Sequence, residues 1–406
     1  MPSKLKKVSK LTITFLVDNN IEWMTKLPPG FSHEILHHIR HSPLDEEKGC
    51  PVLDFNQLCC GAHGFAALLE TELAGEQEMK NTAELEKPVP IHEVTKHLTL
   101  FDTGPDSLSL VRNIRGLQVP ITEIEQVVTS HWHSDHTGGL LSFLELRNEC
   151  LAKGVTTPEP NVPGSTTTTT GEGDTGFTNA SACIVDVHPS RPLQRGIAPP
   201  PSFNVICALP LDPSFSQITA LGPNVKLEKH RYGHTVAGDS VYISGEIPRV
   251  TEFEAGLLSG VRWVEEDGKG KWAAEPHLMD ERYAVVDVEG KGLVVFSSCS
   301  HAGIVNVIKD AVKTFNRPIY MIVGGLHLAS SDLYPRIEPT VNFLAESLRP
   351  SPTYILPMHC TGWRAKVALE QALGEGVVPA GVGHRVEING IEGVDDEMWV
   401  EISEKT

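Results

Sequence analysis

The sequence predicts an α/β chain in which two mixed sheets pack face to face with helices outside. Short apolar strands each stop at a polar or glycine-rich turn, helical periodicity falls between several of them, and the strands form two series around a low-complexity stretch. A sandwich of this kind absorbs roughly 250 residues or more as one unit, so residues 1–406 are read as a single elaborated domain.

Leu11 to Val17 (LTITFLV) alternates apolar residues with Thr and stops at Asp18-Asn19-Asn20, the pattern of a strand entering a turn. Further strands are expected at Gly64 to Glu70, at His97 to Phe101 and at Ile124 to Thr129, which delivers the chain into His131. Leu140 to Ala152 carries helical spacing. Residues 153–181 form a Thr, Pro, Gly and Ser-rich insertion with five consecutive threonines, expected to be mobile because it can bury little. Patterning resumes at Ala182 to His188. A second series of strands follows at Ser240 to Ser244, Tyr283 to Val288, Gly292 to Ser297, Ile319 to Val323 and Tyr354 to Leu356, with helices at Ile304 to Thr314 and Val341 to Leu348. Residues 391–406 read as a carboxyl-terminal tail.

A formal net charge of −18 repels polyanions, so the field disfavours nucleic acid and anionic membranes as partners and leaves a small-molecule substrate. There is no apolar run long enough to span a bilayer, and the basic first ten residues lack the core of a secretory signal, so a cytoplasmic location is expected. Eight cysteines without repeated C-x-x-C spacing suit reduced thiols, with a zinc site at Cys59 and Cys60 as the lesser alternative. Arg249, Arg282 and Lys309 are candidate anion contacts, each expected as solvated surface.

The chemistry is concentrated in Ser130-His131-Trp132-His133-Ser134-Asp135-His136-Thr137-Gly138-Gly139. Three histidines and a carboxylate within six residues cannot all hide in an apolar core, because their polar atoms need partners. Metal ligation satisfies them together. His131 and His133 alternate along an extended turn and face one ion, while Asp135 and His136 aim at a second. Nitrogen and oxygen ligands suit two divalent ions, zinc first, with manganese or iron admissible.

This HxHxDH run after an apolar strand resembles the defining motif of the metallo-β-lactamase superfamily, and Phe101-Asp102-Thr103-Gly104 resembles the aspartate turn that precedes it there. The flanks narrow the resemblance. Val17-Asp18-Asn19, His63-Gly64-Phe65, FDTGPD at 101 to 106, Gly245-Glu246-Ile247-Pro248-Arg249, CSHAGIVN from Cys299, Gly324-Gly325-Leu326-His327-Leu328 and PMHCTG from Pro357 occur in the order of one branch. It is the 7,8-dihydropterin-6-methyl-4-(β-D-ribofuranosyl)aminobenzene 5′-phosphate synthase-like family. The threonine tract and a long stretch from Trp23 to Cys60 depart from that pattern.

The resemblance implies an αββα sandwich and a metal-dependent hydrolase acting on an ester, thioester, lactone or phosphodiester. It further implies that His131, His133 and His301 hold one ion and Asp135, His136 and His359 the other, both later histidines following strands. His234, in a GHT-like turn, is the rival for His301. Asp135 would orient the attacking water, and His301 or His327 would donate to the leaving group. Asp102 would fix a ligand histidine, and Asn19, His63 and Glu246 would surround the site, Glu246 standing nearest to where a bridging aspartate is usual. Cys299 and Cys360 adjoin the expected ligands and are read as packing beside them, with soft-metal binding or oxidation as the lesser alternative. An iron-dependent oxidoreductase and a non-catalytic metal-binding protein are the alternatives.

Overall fold

The computed structural model describes residues 5–74, 94–161, 182–394 and 398–403. Most of the expected low-complexity span, residues 162–181, lies outside the described residues; its first part, 155–161, packs back through Asn161, which bonds Gln57 and the Arg112 carbonyl.

Two large mixed sheets are present, as expected. The eight-stranded sheet runs in the order Val225–Lys229, Cys183–Val187, Gln126–Val128, Thr95–Phe101, Ala66–Leu73, Lys10–Val17, Arg385–Asn389 and Phe31–Ser32. The seven-stranded sheet runs His234–Val236, Val241–Ile243, Ala284–Val288, Gly292–Ser297, Ile319–Gly325 and Tyr354–Met358, with Lys7–Val8 paired on Ala284–Val288. Side chains alternate between two buried environments, because each sheet is covered on both faces. Leu11, Ile13 and Phe15 join Phe101, Val286, Val294, Phe296 and Leu356 in the core between the sheets. On the outer face of the first sheet, Leu16, Leu98 and Leu100 pack with the helices Ser109–Leu117 and Leu140–Lys153. Val285, Leu293 and Val295 do the same with Ile304–Phe315, Ile337–Asn342 and Trp363–Leu373. These four layers make the αββα sandwich.

Strand direction gathers the chemistry. Thr95–Phe101 pairs parallel with Gln126–Val128, so the turns bearing Asp102 and His131 leave the sheet side by side. In the other sheet Gly292–Ser297, Ile319–Gly325 and Tyr354–Met358 are mutually parallel, so Cys299 to His301, His327 and His359 emerge at a common edge.

Three elements differ from expectation. The helix expected at Val341 to Leu348 begins at Ile337 and closes in a π turn at Phe343–Ser347, leaving Leu348 extended to pair with Glu401–Ile402. The last of these strands lies within the expected tail. A separate four-stranded sheet of Arg195–Ile197, Cys207–Ala208, Gly260–Glu266 and Lys269–Ala274 was not anticipated, because one outer strand is only two residues long and the other, KGKWAA, is polar over its first half and lacks an apolar stripe. Asp267-Gly268, both at positive φ (50° and 74°), is the hairpin signal that marks it.

Arg282 is a correction. It is 1% exposed, with Nη1 donating to Asp186 Oδ1 at 2.7 Å and Nη2 to the Thr129 carbonyl at 2.6 Å. A guanidinium between two sheets with a carboxylate to neutralise it is a stable arrangement that spacing alone does not reveal. Replacing it by alanine (Arg282→Ala) leaves the buried Asp186 carboxylate with only His230 and His234 as side-chain partners, and urea unfolding is expected to show a loss of about 3–5 kcal/mol.

Candidate metal centre

Asp102 begins the site. Its backbone is left-handed (φ 62°), and its carboxylate is fully buried. Oδ1 accepts the Ser130 backbone N–H at 2.6 Å, and Oδ2 accepts the Ser130 hydroxyl at 2.7 Å. Since that hydroxyl has spent its only proton, its oxygen accepts from His131 Nδ1, 2.8 Å away. His136 Nδ1 donates directly to Asp102 Oδ2 at 2.8 Å. One carboxylate thus fixes both rings with their Nε2 atoms turned inward.

The loop lies close to its neighbours because it carries no side chain where backbone approaches. A Cβ on Gly139 would stand 2.1 Å from the Thr103 carbonyl oxygen, and one on Gly138 2.1 Å from that of Pro105. The glycine pair therefore seats the HxHxDH turn against the FDTGPD turn.

Three imidazole nitrogens converge at the first position. His131 Nε2 is 3.0 Å from His133 Nδ1 and 3.2 Å from His301 Nε2. Ligand nitrogens around tetrahedral zinc are separated by roughly 3.3 Å, given Zn–N bonds of about 2.0–2.1 Å. His301 Nδ1 is buried without a partner. Burial holds His131 and His301 well below the ordinary imidazole range, reinforced by neighbouring histidines, and lowers His133 to about 3 with help from the Arg195 charge. Neutral rings with inward lone pairs are the protonation state that ligation requires.

Asp135, His136 and His359 meet beside them, with Cys299, their ligand atoms within 4.8 Å of one another. His359 Nδ1 donates to Asn19 Oδ1 at 3.1 Å, while its buried Nε2 faces Asp135 Oδ2 at 3.3 Å without forming a hydrogen bond. Burial opposes charge on His136, but Asp135 and Asp102 override it and raise the ring to about 9. A cation held there would displace that proton. The donor sets therefore fit divalent ions at both positions.

The surrounding shell is partly as expected. Asn19 bridges His359 and His63, giving its Nδ2 proton to His63 Nδ1 at 3.0 Å. His63 is exposed at the mouth, 3.8 Å from Asp135. The His327 ring meets His301 edge to face with centroids 4.3 Å apart, and neither of its nitrogens has a hydrogen-bond partner. His234 is not part of the convergence. Its Nε2 bonds Asp186 Oδ2 at 2.5 Å, in a separate cluster with His230, and the geometry places His301 against His131 instead. Glu246 is exposed and makes no bond to the site histidines among the described residues. Lys309 lies over the Phe343 ring.

Sequence reasoning missed the supports beneath the loop. Arg195 is 3% exposed and bonds Asp280, Glu275 and the Trp132 carbonyl, while Asp280 also accepts the Trp132 N–H. Glu281 accepts the N–H groups of His301 and Ala302, and burial raises its carboxyl to about 7. The charged run Asp280-Glu281-Arg282 directly before an apolar strand was the available signal; Arg195 offered none.

Comparison with known proteins agrees with this fold. The metallo-β-lactamase superfamily profile matches residues 93–163. A solved structure described as a metal-dependent hydrolase of the β-lactamase superfamily superposes with a TM-score of 0.55 at 20% identity, covering 93% of this chain and 99% of that one. The chain has the metallo-β-lactamase fold. Within this fold it resembles the 7,8-dihydropterin-6-methyl-4-(β-D-ribofuranosyl)-aminobenzene-5′-phosphate synthase of Methanocaldococcus jannaschii, 22% identical over 320 residues, 77% of this chain and 85% of that protein. An uncharacterized protein of the same organism is 30% identical over 132 residues, 32% of this chain and 44% of its own length.

Two outcomes follow for this metallo-β-lactamase fold. Asp102→Asn, which removes the acceptor shared by His136 and Ser130, is expected to weaken zinc binding about 10–100-fold in chelator competition. Asp212, buried against the Thr137 hydroxyl, is raised by burial to about 6 from 3.8. The folded form favours its protonated state, so its stabilisation is complete below about pH 4 and is lost as pH rises through about 6. Asp212→Asn should abolish about 2–3 kcal/mol of this fall, read from urea unfolding at a series of pH values.

Proposed function

We propose that the protein is a metal-dependent hydrolase of a small molecule. The single supporting observation is the convergence of His131, His133 and His301 beside Asp135, His136 and His359, with His359 Nε2 buried and unpartnered among them. The first three side chains would hold one divalent ion and the second three another, zinc being favoured by the imidazole-rich donors. Such ions supply Lewis acidity and a water acidic enough near neutral pH to attack an ester, thioester, lactone or phosphodiester.

The chain's own groups have the remaining tasks. Asp135, partly open to solvent, would orient the incoming water. His63 at the mouth supports Asp135. His327, with both nitrogens uncommitted, gives a hydrogen bond or proton to the leaving group. Glu281 and Arg195 hold the loops that carry these residues and exclude rearrangement.

The deciding experiment combines elemental analysis with metal-by-metal turnover of lactone, thioester, phosphodiester and dihydropterin ribofuranosyl phosphate panels. Zinc or manganese near two ions per chain with turnover of one bond type is expected, and Asp135→Ala should lower that turnover by about 10²–10⁴-fold. Stoichiometric iron without hydrolysis would sink this assignment.

A further inference from the structure

Cys299 occupies the turn immediately after the Gly292–Ser297 strand and is 4% exposed. Its Sγ lies 3.4 Å from His136 Nε2. It groups with Asp135, His136 and His359, and also with His131 and His301, the donor atoms of each group lying within 4.8 Å of one another. Among the described residues it is the side chain common to both groups. His359 Nε2, buried and unpartnered, is an independent sign that this space is arranged for a ligand.

Two cations side by side repel, and an anion between them offsets that repulsion. Asp135 is the carboxylate found in these groups, and it belongs to the second. The other nearby acids are committed elsewhere: Asp186 to Arg282, Asp280 to Arg195, and Glu281 to two backbone N–H groups. Glu246 is exposed. The sulfur of Cys299 stands where a shared acid is wanted.

Cys360 completes the arrangement. Its Sγ is 3.3 Å from that of Cys299 and 3.5 Å from the Cys299 carbonyl oxygen. It fits there because position 325 is glycine; a Cβ would stand 2.5 Å from the Cys360 sulfur. Cys360 thereby packs against Cys299, its S–H donating to the Cys299 carbonyl oxygen.

We propose that the Cys299 thiolate is the shared anionic ligand between the two cation positions, taking the part that a bridging carboxylate would play, with Cys360 positioning it. The inference rests on the two-cation assignment above. On binding, the thiol proton leaves to solvent and the sulfur forms the ligand bond, so no oxidant is involved. A soft sulfur at the centre biases it towards zinc and against magnesium and calcium.

Cobalt(II) titrated into metal-free protein provides the test, because thiolate ligation gives an intense near-ultraviolet charge-transfer band while histidine and carboxylate ligands give weak visible bands. Wild type should show both. The near-ultraviolet band should vanish in Cys299→Ser and Cys299→Ala with the visible bands retained, which also shows that the centre is intact, and should persist in Cys360→Ala and Cys59→Ser. Visible bands without the charge-transfer band in wild type would overturn the thiolate assignment and leave the two-cation centre standing. Failure to bind cobalt at all would remove both. A band that survives in Cys299→Ala, or disappears in Cys59→Ser, would place the sulfur elsewhere and overturn the proposal, as would a Cys299 to Cys360 disulfide found by mass spectrometry in the cobalt-loaded protein.

Discussion

The Asp102 carboxylate is the constraint on which the rest of the site depends. It is buried, sits on a left-handed backbone, and accepts protons from the Ser130 backbone, the Ser130 hydroxyl and His136. A buried carboxylate is tolerable only when such donors compensate its desolvation. Here the compensation has a directional consequence. Every hydrogen bond given to Asp102 is one turned away from the centre, so His131 and His136 turn Nε2 inward. The ligand geometry follows from satisfying an acid behind the ligands.

Two sheets make this possible by delivering their turns to one edge. The parallel strands before Asp102 and His131 fix one half of the centre, and the three parallel strands before His301, His327 and His359 fix the other. Between them the apolar core, including the Phe101 and Phe296 rings 6.3 Å apart, holds the sheets at constant separation. Close packing resists small displacements, so side chains from opposite sheets meet within hydrogen-bond distance.

Buried charge then locks the loops from below. Arg195 ties the small accessory sheet to the Trp132 carbonyl, and Arg282 ties the second sheet to Thr129 and Asp186 of the first. Both guanidiniums are paired with carboxylates, which offsets the cost of desolvation. The centre is accordingly supported by hydrogen bonds to backbone just before the histidine run and within it, a preorganised arrangement of the kind metal-ligand shells require.

The sequence by itself determined the alternating strands, the two series and the HxHxDH run, because period-two burial and a dense polar cluster are local properties. It also marked Asp102 and the later histidines as ends of strands. Tertiary structure alone decided that His301 and not His234 faces His131, that Arg282 is interior, and that Cys299 lies between two donor groups. These depend on which strand ends share an edge and on how far apart the sheets stand. Both are set by packing between segments more than a hundred residues apart, which no local pattern of residues encodes.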